Sequence, residues 1–354
     1  MPSEVSASGS GSAVEIVCGF DGFVDELIRV VGERTGPVSY DPLGTLAELG
    51  ALVSAAAGRN SLREIVIERT DAGGCAINLG DGLAALGAHV HFTGTVGSPA
   101  HPAFVPVLKT FASATPLGSC YGRTLCFEFR DGKFMFPAIQ QLGEVTPELL
   151  SSVLPTYATA CARAQVICLT NWTLYPHMTA VWQALQQQVY RNLRHDPWFF
   201  VDLVDPSGRS TTDILAMADT LAGFGRTALS VNRTELAVLA DRLGLPANDD
   251  VGKAAAGLRA RLGIAQVVVH NSRINAVAHA DGVVVAPAGP FCDKPLKSTG
   301  AGDRFNSGYV YGLAKGLDHQ ARLDLGSAVA GYFVRHARSG SRDDITPYFP
   351  GSGG

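Results

Sequence analysis

Charge is scarce in this chain of 354 residues: Asp, Glu, Lys and Arg together make up 17%, and the formal net charge is -4. Nucleic-acid binding relies on dense Lys and Arg, so a nucleic-acid partner is not expected. Cysteine pairing is lacking as well. The seven cysteines (Cys18, Cys75, Cys120, Cys126, Cys161, Cys168 and Cys292) are odd in number and contain no Cys-x-x-Cys spacing. They fall mostly within apolar runs and read as small buried hydrophobes of a reducing, cytoplasmic setting, not as a disulfide framework. Nor is there an apolar run near the ~20 residues that a membrane helix needs. The first short run is broken by Glu15 and has no basic segment before it, so neither a signal peptide nor a membrane partner is expected. No internal repeat is visible.

Apolar residues and turn formers are what the chain has in quantity. Hydrophobic residues are 46% of the total, enough for a large core, and 40 glycines with 19 prolines in no fixed period imply many tight turns. Residues 1–13 are rich in Ser and Gly and are expected to be disordered. A run at 14–18 reads as a buried strand, 43–57 as a helix with Leu46, Leu49 and Val53 on one face, and 62–68 as a strand. A Gly-Gly turn then opens a helix whose buried stripe is Leu79, Leu83 and Leu86, stopped by Gly87. Val90 and Phe92 alternate in the next strand. His89 and His91 share its other face and, with no third ligand nearby, read as structural. Leu125, Phe127 and Phe129 alternate up to Asp131-Gly132, and apolar residues resume at Phe134, which marks a β-hairpin.

From there strand and helix alternate. Strands are expected over 165–169, 198–203, 227–231, 266–270, 276–279 and 283–286, and helices over 179–189, 213–221, 235–243, 253–262, 303–314 and 320–336. This rhythm predicts an α/β fold with a mostly parallel central sheet and helices on both faces. The hairpin and the 62–68 strand fall outside it. They imply a small β-lid, with strands within 60–72 and 120–138, carried on a single α/β domain over 14–345.

Two glycine turns carry candidate chemistry. In Ser298-Thr299-Gly300-Ala301-Gly302-Asp303-Arg304-Phe305 the glycines open a helix, whose first N–H groups and dipole can hold an anion. Asp303 in that turn can accept a hydroxyl proton; the competing reading is helix capping. In Ala72-Gly73-Gly74-Cys75-Ala76-Ile77-Asn78 the glycines allow close approach by a ligand, and the Asn78 amide, with donors and an acceptor, suits a polyol.

Taken together, Gly-Gly-x-x-x-Asn early and Gly-Ala-Gly-Asp late resemble the two signature regions of the PfkB/ribokinase sugar kinases, a likeness spanning 19–340. The resemblance implies a ribokinase-like fold with a β-lid over the sugar and transfer of the γ-phosphoryl group of ATP to a sugar hydroxyl. Asp303 would be the base, and Gly300, Ala301 and Gly302 the anion hole. Asp25, Gly73, Gly74 and Asn78 would hold the sugar, with Asp21 the fallback for Asp25. Asn232-Arg233-Thr234-Glu235 looks like the family's Asn-x-x-Glu element, which places Mg2+ and the phosphates, Glu235 acting through water. The same four residues also read as a capping box. Arg123 is a candidate for a substrate anion or a solvated edge residue.

The chain departs from the family pattern at Lys297, where Asp is usual; at Arg304, where a small residue is usual; and over 270–275, where the nucleotide loop has lost its glycines. Related kinases are often dimers through their lids, so a homodimer is a candidate. Two rivals stand beside the sugar kinase. One is a kinase of nucleosides or other small molecules, with Phe20, Phe23 and Phe136 available to cover a base. The other is a non-catalytic sugar or nucleotide sensor.

Overall fold

The protein is described by a computed structural model over residues 13–350. The expected disorder at the N-terminus therefore lies, apart from residue 13, outside the described residues. Nine strands form the larger sheet. Across it they run Gly282–Pro287, Ile274–His279, Gln266–His270, Arg226–Asn232, Trp198–Asp202, Val166–Thr170, Glu15–Phe20, His89–Gly94 and Ser113–Pro116. All neighbours are parallel except at one edge, where Ile274–His279 is antiparallel to both of its partners.

Both faces of this sheet are covered, which is why its strands read as unbroken apolar runs. Side chains alternate between two cores. Val17, Ile167, Leu169, Val201 and Leu229 pack on one side with helices Leu154–Cys161, Met178–Gln188, Thr211–Ala222, Arg233–Arg242 and Val251–Leu262. Ile16, Cys18, Val166, Cys168 and Phe200 pack on the other with Cys75–Ala85, Ala301–Ala314 and His319–His336. Five cysteines are buried, Cys75 and Cys292 are half-buried, and all seven are unpaired. His89 and His91 hold the Glu15 carboxylate between them at 2.8 and 2.6 Å, so their role is to pin two neighbouring strands. Among the described residues no helix is long and apolar enough to cross a membrane.

The segments outside the strand–helix rhythm supply Ile65–Gly73, Gly122–Phe129 and Gly132–Ala138 to a second, five-stranded sheet. Its central strand, Phe23–Arg34, was not foreseen from the sequence. It pairs with Ile65–Gly73 on one side and with Gly122–Phe129 on the other. Register aligns Asp71, Asp25 and Thr124 in one row. Three residues along, Ile67, Ile28, Phe127 and Phe134 form an apolar row. A register shift between Leu27 and Ile28 separates the rows on the Ile65–Gly73 side; along the unshifted pairing Thr124 and Phe127 are an odd number apart, so the two rows face opposite ways. The expected helix at 43–57 runs Leu46–Ala55 and buries none of its residues; Val53 is 65% exposed. Its apolar spacing is helical, but the helix stands beside the hairpin turn, where Asp131 accepts from Leu46 N–H at 2.6 Å, and no core lies beneath it.

Candidate active site

Parallel sheets place their chemistry beyond the carboxyl ends of their strands. Here the ends of Glu15–Phe20, Trp198–Asp202, Arg226–Asn232 and Gln266–His270 converge on the first turn of helix Ala301–Ala314. That helix begins at Gly300, which adopts φ +86° and makes no side-chain cap. Asp303 is therefore not the cap, which removes the competing reading of this residue. Ala301 N–H is committed to the Ser298 carbonyl at 3.1 Å, and the first intrahelical bond joins Arg304 N–H to Gly300 O at 3.1 Å. Of the expected anion hole the Ala301 amide is thus already committed, while the amides of Gly302 and, beside it, Asp303 come before that bond and have no intrahelical partner.

Asn78 Nδ2 donates to Asp303 Oδ2 at 2.9 Å, joining the two glycine motifs in space. Burial, and then the charge of Asp202, pushes the Asp303 carboxyl up to about 7, against the pull of the Asn78 bond and the Arg304 charge, with Asp21 adding to the rise. A carboxyl poised near neutrality suits general-base work. A Cβ at Gly302 would lie 2.9 Å from His270 Nε2, so a side chain there would force the turn or the ring to shift. His270 stacks on Phe305 with centroids 5.3 Å apart, and burial lowers its pKa to about 4, so it faces the turn uncharged.

Structure separates the two aspartates of the opening segment. Asp21 is fully buried, and its carboxylate accepts from Cys75 N–H at 2.6 Å, Ala76 N–H at 2.9 Å, Thr170 Oγ1 at 2.5 Å and Asn171 Nδ2 at 3.0 Å. Four donors use up its lone pairs. Asp21 caps helix Cys75–Ala85 from a distant segment, because Gly74 at the N-cap, with φ +97°, has no side chain to do so. Asp25 is bonded to Thr124, and burial raises its pKa to about 6, against the pull of the Thr124 bond and Lys297. Its charged neighbours are Lys297, Asp71 and Asp21. Gly73 lies so close that a side chain there would run into the Asp25 carboxylate.

On the other side of the turn, Asn232 and Glu235 do form a capping box: Asn232 Oδ1 accepts from Glu235 N–H at 3.0 Å, and Glu235 Oε2 accepts from Asn232 N–H at 2.9 Å. Burial, then the charge of Asp202, raises Glu235 to about 8. Asp202 itself rises to about 6, mainly through burial, while accepting from Asn306 Nδ2 at 2.7 Å. Sequence reasoning missed Asp202, though an Asp closing an apolar parallel strand is a usable signal. Among the described residues no group of three or more His, Cys, Asp or Glu side chains could hold a metal directly. Raised, mutually repelling carboxylates nevertheless fit a cation held through water. A cavity of about 580 Å³ adjoins, with Asn232, Asn275, Pro290, Phe291 and Val334 in its wall. The 270–275 segment bounding it is a tight turn in which Asn271 Oδ1 accepts from the N–H groups of Arg273 and Ile274.

The remaining sequence candidates are placed as follows. Arg123 pairs with Glu26 at 2.6 Å on a half-exposed surface, the solvated alternative. Lys297 Nζ lies 3.2 Å from Asp71, the row neighbour of Asp25. Lys133 of the hairpin, unnoticed in the sequence, donates to Thr299 Oγ1 at 2.6 Å.

The sequence profile of the prokaryotic ketohexokinases matches residues 4–351. The chain belongs to the prokaryotic ketohexokinase family. A ketohexokinase of Haloferax volcanii is 27% identical over 347 residues, covering 95% of this chain and 91% of that one. Among solved structures, ribokinase of Thermotoga maritima shares the fold with a TM-score of 0.66 at 16% identity, covering 94% of this chain and 97% of its own. A phosphofructokinase-2 mutant of Escherichia coli does so at 0.64 and 16%, covering 95% and 97%. This member of the ketohexokinase family is a sugar kinase, a phosphotransferase with an alcohol group as acceptor, on a ribokinase-like fold.

Proposed function

We propose that the protein transfers the γ-phosphoryl group of ATP to a hydroxyl of a ketohexose, with Asp303 as general base. The observation that carries this is Asp303 itself. It sits at the mouth of a helix it does not cap, is bonded by Asn78, and is pushed by burial up to about 7. Transfer needs little covalent help from the protein, so positioning and charge dominate. Asp25, Gly73, Gly74 and Asn78 hold the sugar beside the carboxylate; Asp21 holds the turn that presents them. Asp303 takes the hydroxyl proton, and the amides of Gly302 and Asp303 face the negative charge that develops.

ATP fits the cavity beside Asn232 and Asn275, where Pro290, Phe291 and Val334 suit an apolar base. Asn232 and Glu235 would hold Mg2+ through water, and when bound the cation neutralises phosphate charge. The smaller sheet acts as a lid that excludes water. Its far side carries the row Ile67, Ile28, Phe127 and Phe134, with Ile67 47% and Phe134 49% exposed, a surface suited to a homodimer. Seven unpaired cysteines suit a cytoplasmic setting.

An ATP-consumption assay across ketohexoses, aldoses and nucleosides tests the reading. Turnover is expected with a ketohexose and not with nucleosides. Turnover confined to nucleosides, or binding without turnover for every compound, would replace it with one of the rival readings.

A further inference from the structure

Arg304 follows the base directly, is only 5% exposed, and is not part of the machinery described above. Burying a guanidinium is costly, and apolar side chains of similar volume can often serve a core as well. Its contacts show what the charge is used for. Arg304 Nη2 lies 2.7 Å from Asp81 Oδ2, Nε donates to Ser339 Oγ at 2.7 Å, and Nη1 donates to the backbone carbonyl of Asn78. Ser339 Oγ in turn donates to Asp81 at 2.7 Å, and the guanidinium lies 4.8 Å over the Phe333 ring. One side chain thus ties helix Ala301–Ala314 to helix Cys75–Ala85 and to the segment after helix His319–His336.

The tie falls on the residue that matters. Asn78 is held from behind by Arg304 through its carbonyl, and from the front its amide reaches Asp303. The helices cross closely here: a side chain at Gly82 would strike Ser307, whose hydroxyl is 3.0 Å from the Leu79 carbonyl.

We propose that Arg304 is a positioning residue, which with Asp81 and Ser339 sets the register of the two helices so that the Asn78 amide bridges sugar and base. The proposal rests on Asp303 being the base. A planar fork with several fixed donors meets three acceptors at once; a lysine ammonium on a flexible stem does not. Arg304 also contributes positive charge at Asp303, which otherwise faces Asp202, Asp21 and Glu235 from the neighbouring strand end, loop and helix.

The test compares Arg304→Lys, Arg304→Met and Asp303→Asn with wild type, measuring Tm, ketohexose KM, kcat and the pH dependence of kcat/KM. Arg304→Lys keeps the charge and loses the fork, so KM should rise about fivefold or more, as for one good hydrogen bond, while the acidic limb stays in place. Arg304→Met should raise KM and also move the acidic limb to higher pH, lowering the rate on that limb about tenfold per pH unit moved. Arg304→Lys decides alone if Arg304→Met does not fold. Folded Arg304 variants with wild-type KM and an unmoved limb would overturn the positioning role while Asp303→Asn, if inactive, upholds the base. If Asp303→Asn turns over normally, the base reading fails and this proposal fails with it.

Discussion

Replacing Asp303 by Asn should stabilise the protein at alkaline pH while it abolishes most of the turnover. The two effects share one cause. Burial, with the charge of Asp202, lifts the carboxyl from 3.8 to about 7. The native state therefore binds this proton more tightly than the unfolded chain does. Stability from this group is full below the unfolded value and is lost as pH rises through the folded one. Most of it is still present at pH 5 and nearly all of it is gone at pH 8, a loss of about 3 kcal/mol. Asn carries no charge and escapes the loss. Its Oδ1 can still accept from Asn78, and Gly300 remains the cap, so the fold keeps its local bonds. The Tm of Asp303→Asn relative to wild type should thus widen by a few degrees between pH 5 and pH 8. Over the same range kcat should fall about 10²–10⁴-fold, the usual loss for a missing general base. Calorimetric scans at the two pH values with steady-state kinetics on a ketohexose provide the check. A Tm difference that does not change with pH refutes the electrostatic account, and a normal kcat refutes the base.

Asp25→Asn and Asn78→Ala should each raise the ketohexose KM with the fold intact. Loss of a buried partner costs about 1–3 kcal/mol, so titration calorimetry should show roughly 5- to 150-fold weaker binding; unchanged affinity in both would take them out of the site. Asp21→Ala should behave differently, with its main effect on Tm, because it strips four donors of their acceptor. Normal stability with lost sugar binding would reverse the roles assigned to the two aspartates. Gly302→Ala places a Cβ 2.9 Å from His270 Nε2 and should lower kcat through a displaced anion turn, with a smaller change in sugar affinity; wild-type kcat would show that the turn tolerates the shift.

The larger sheet was legible because burial on two sides writes a simple signal. Val166 to Leu169 and Val267 to Val269 are apolar without a break, and the helices Thr211–Ala222, Arg233–Arg242 and Val251–Leu262 between such runs stop at or just before Gly223, Gly244 and Gly263. The smaller sheet was legible only at its hairpin. Its central strand escaped because neither of its faces is uniform: Asp25 and Arg29 lie on one and Glu26 interrupts the other, so no two-residue alternation survives. A strand that lines a polar site on one side is the kind that periodicity misses, since its side chains answer to a ligand rather than to a core.

The site was legible where it depends on backbone and obscure where it depends on pairing. Glycines announce themselves, and Gly74, Gly300 and Gly302 each stand where φ or a near neighbour demands them. Partnership does not announce itself. Nothing in the spacing of Asp21 and Asp25 says that one will be filled by four donors and the other left between Thr124 and Lys297. Those donors come from residues 75, 76, 170 and 171, brought in by the parallel order of the sheet. The same holds for Lys297 and Arg304, which stand out in the sequence as departures from the family pattern. In the fold each faces a carboxylate, Asp71 and Asp81, in the two segments flanking the early glycine turn. Each basic residue near the late turn therefore has its acid beside the early one, so the two departures are better read as compensated pairs that bind the halves of the site together than as signs of lost activity.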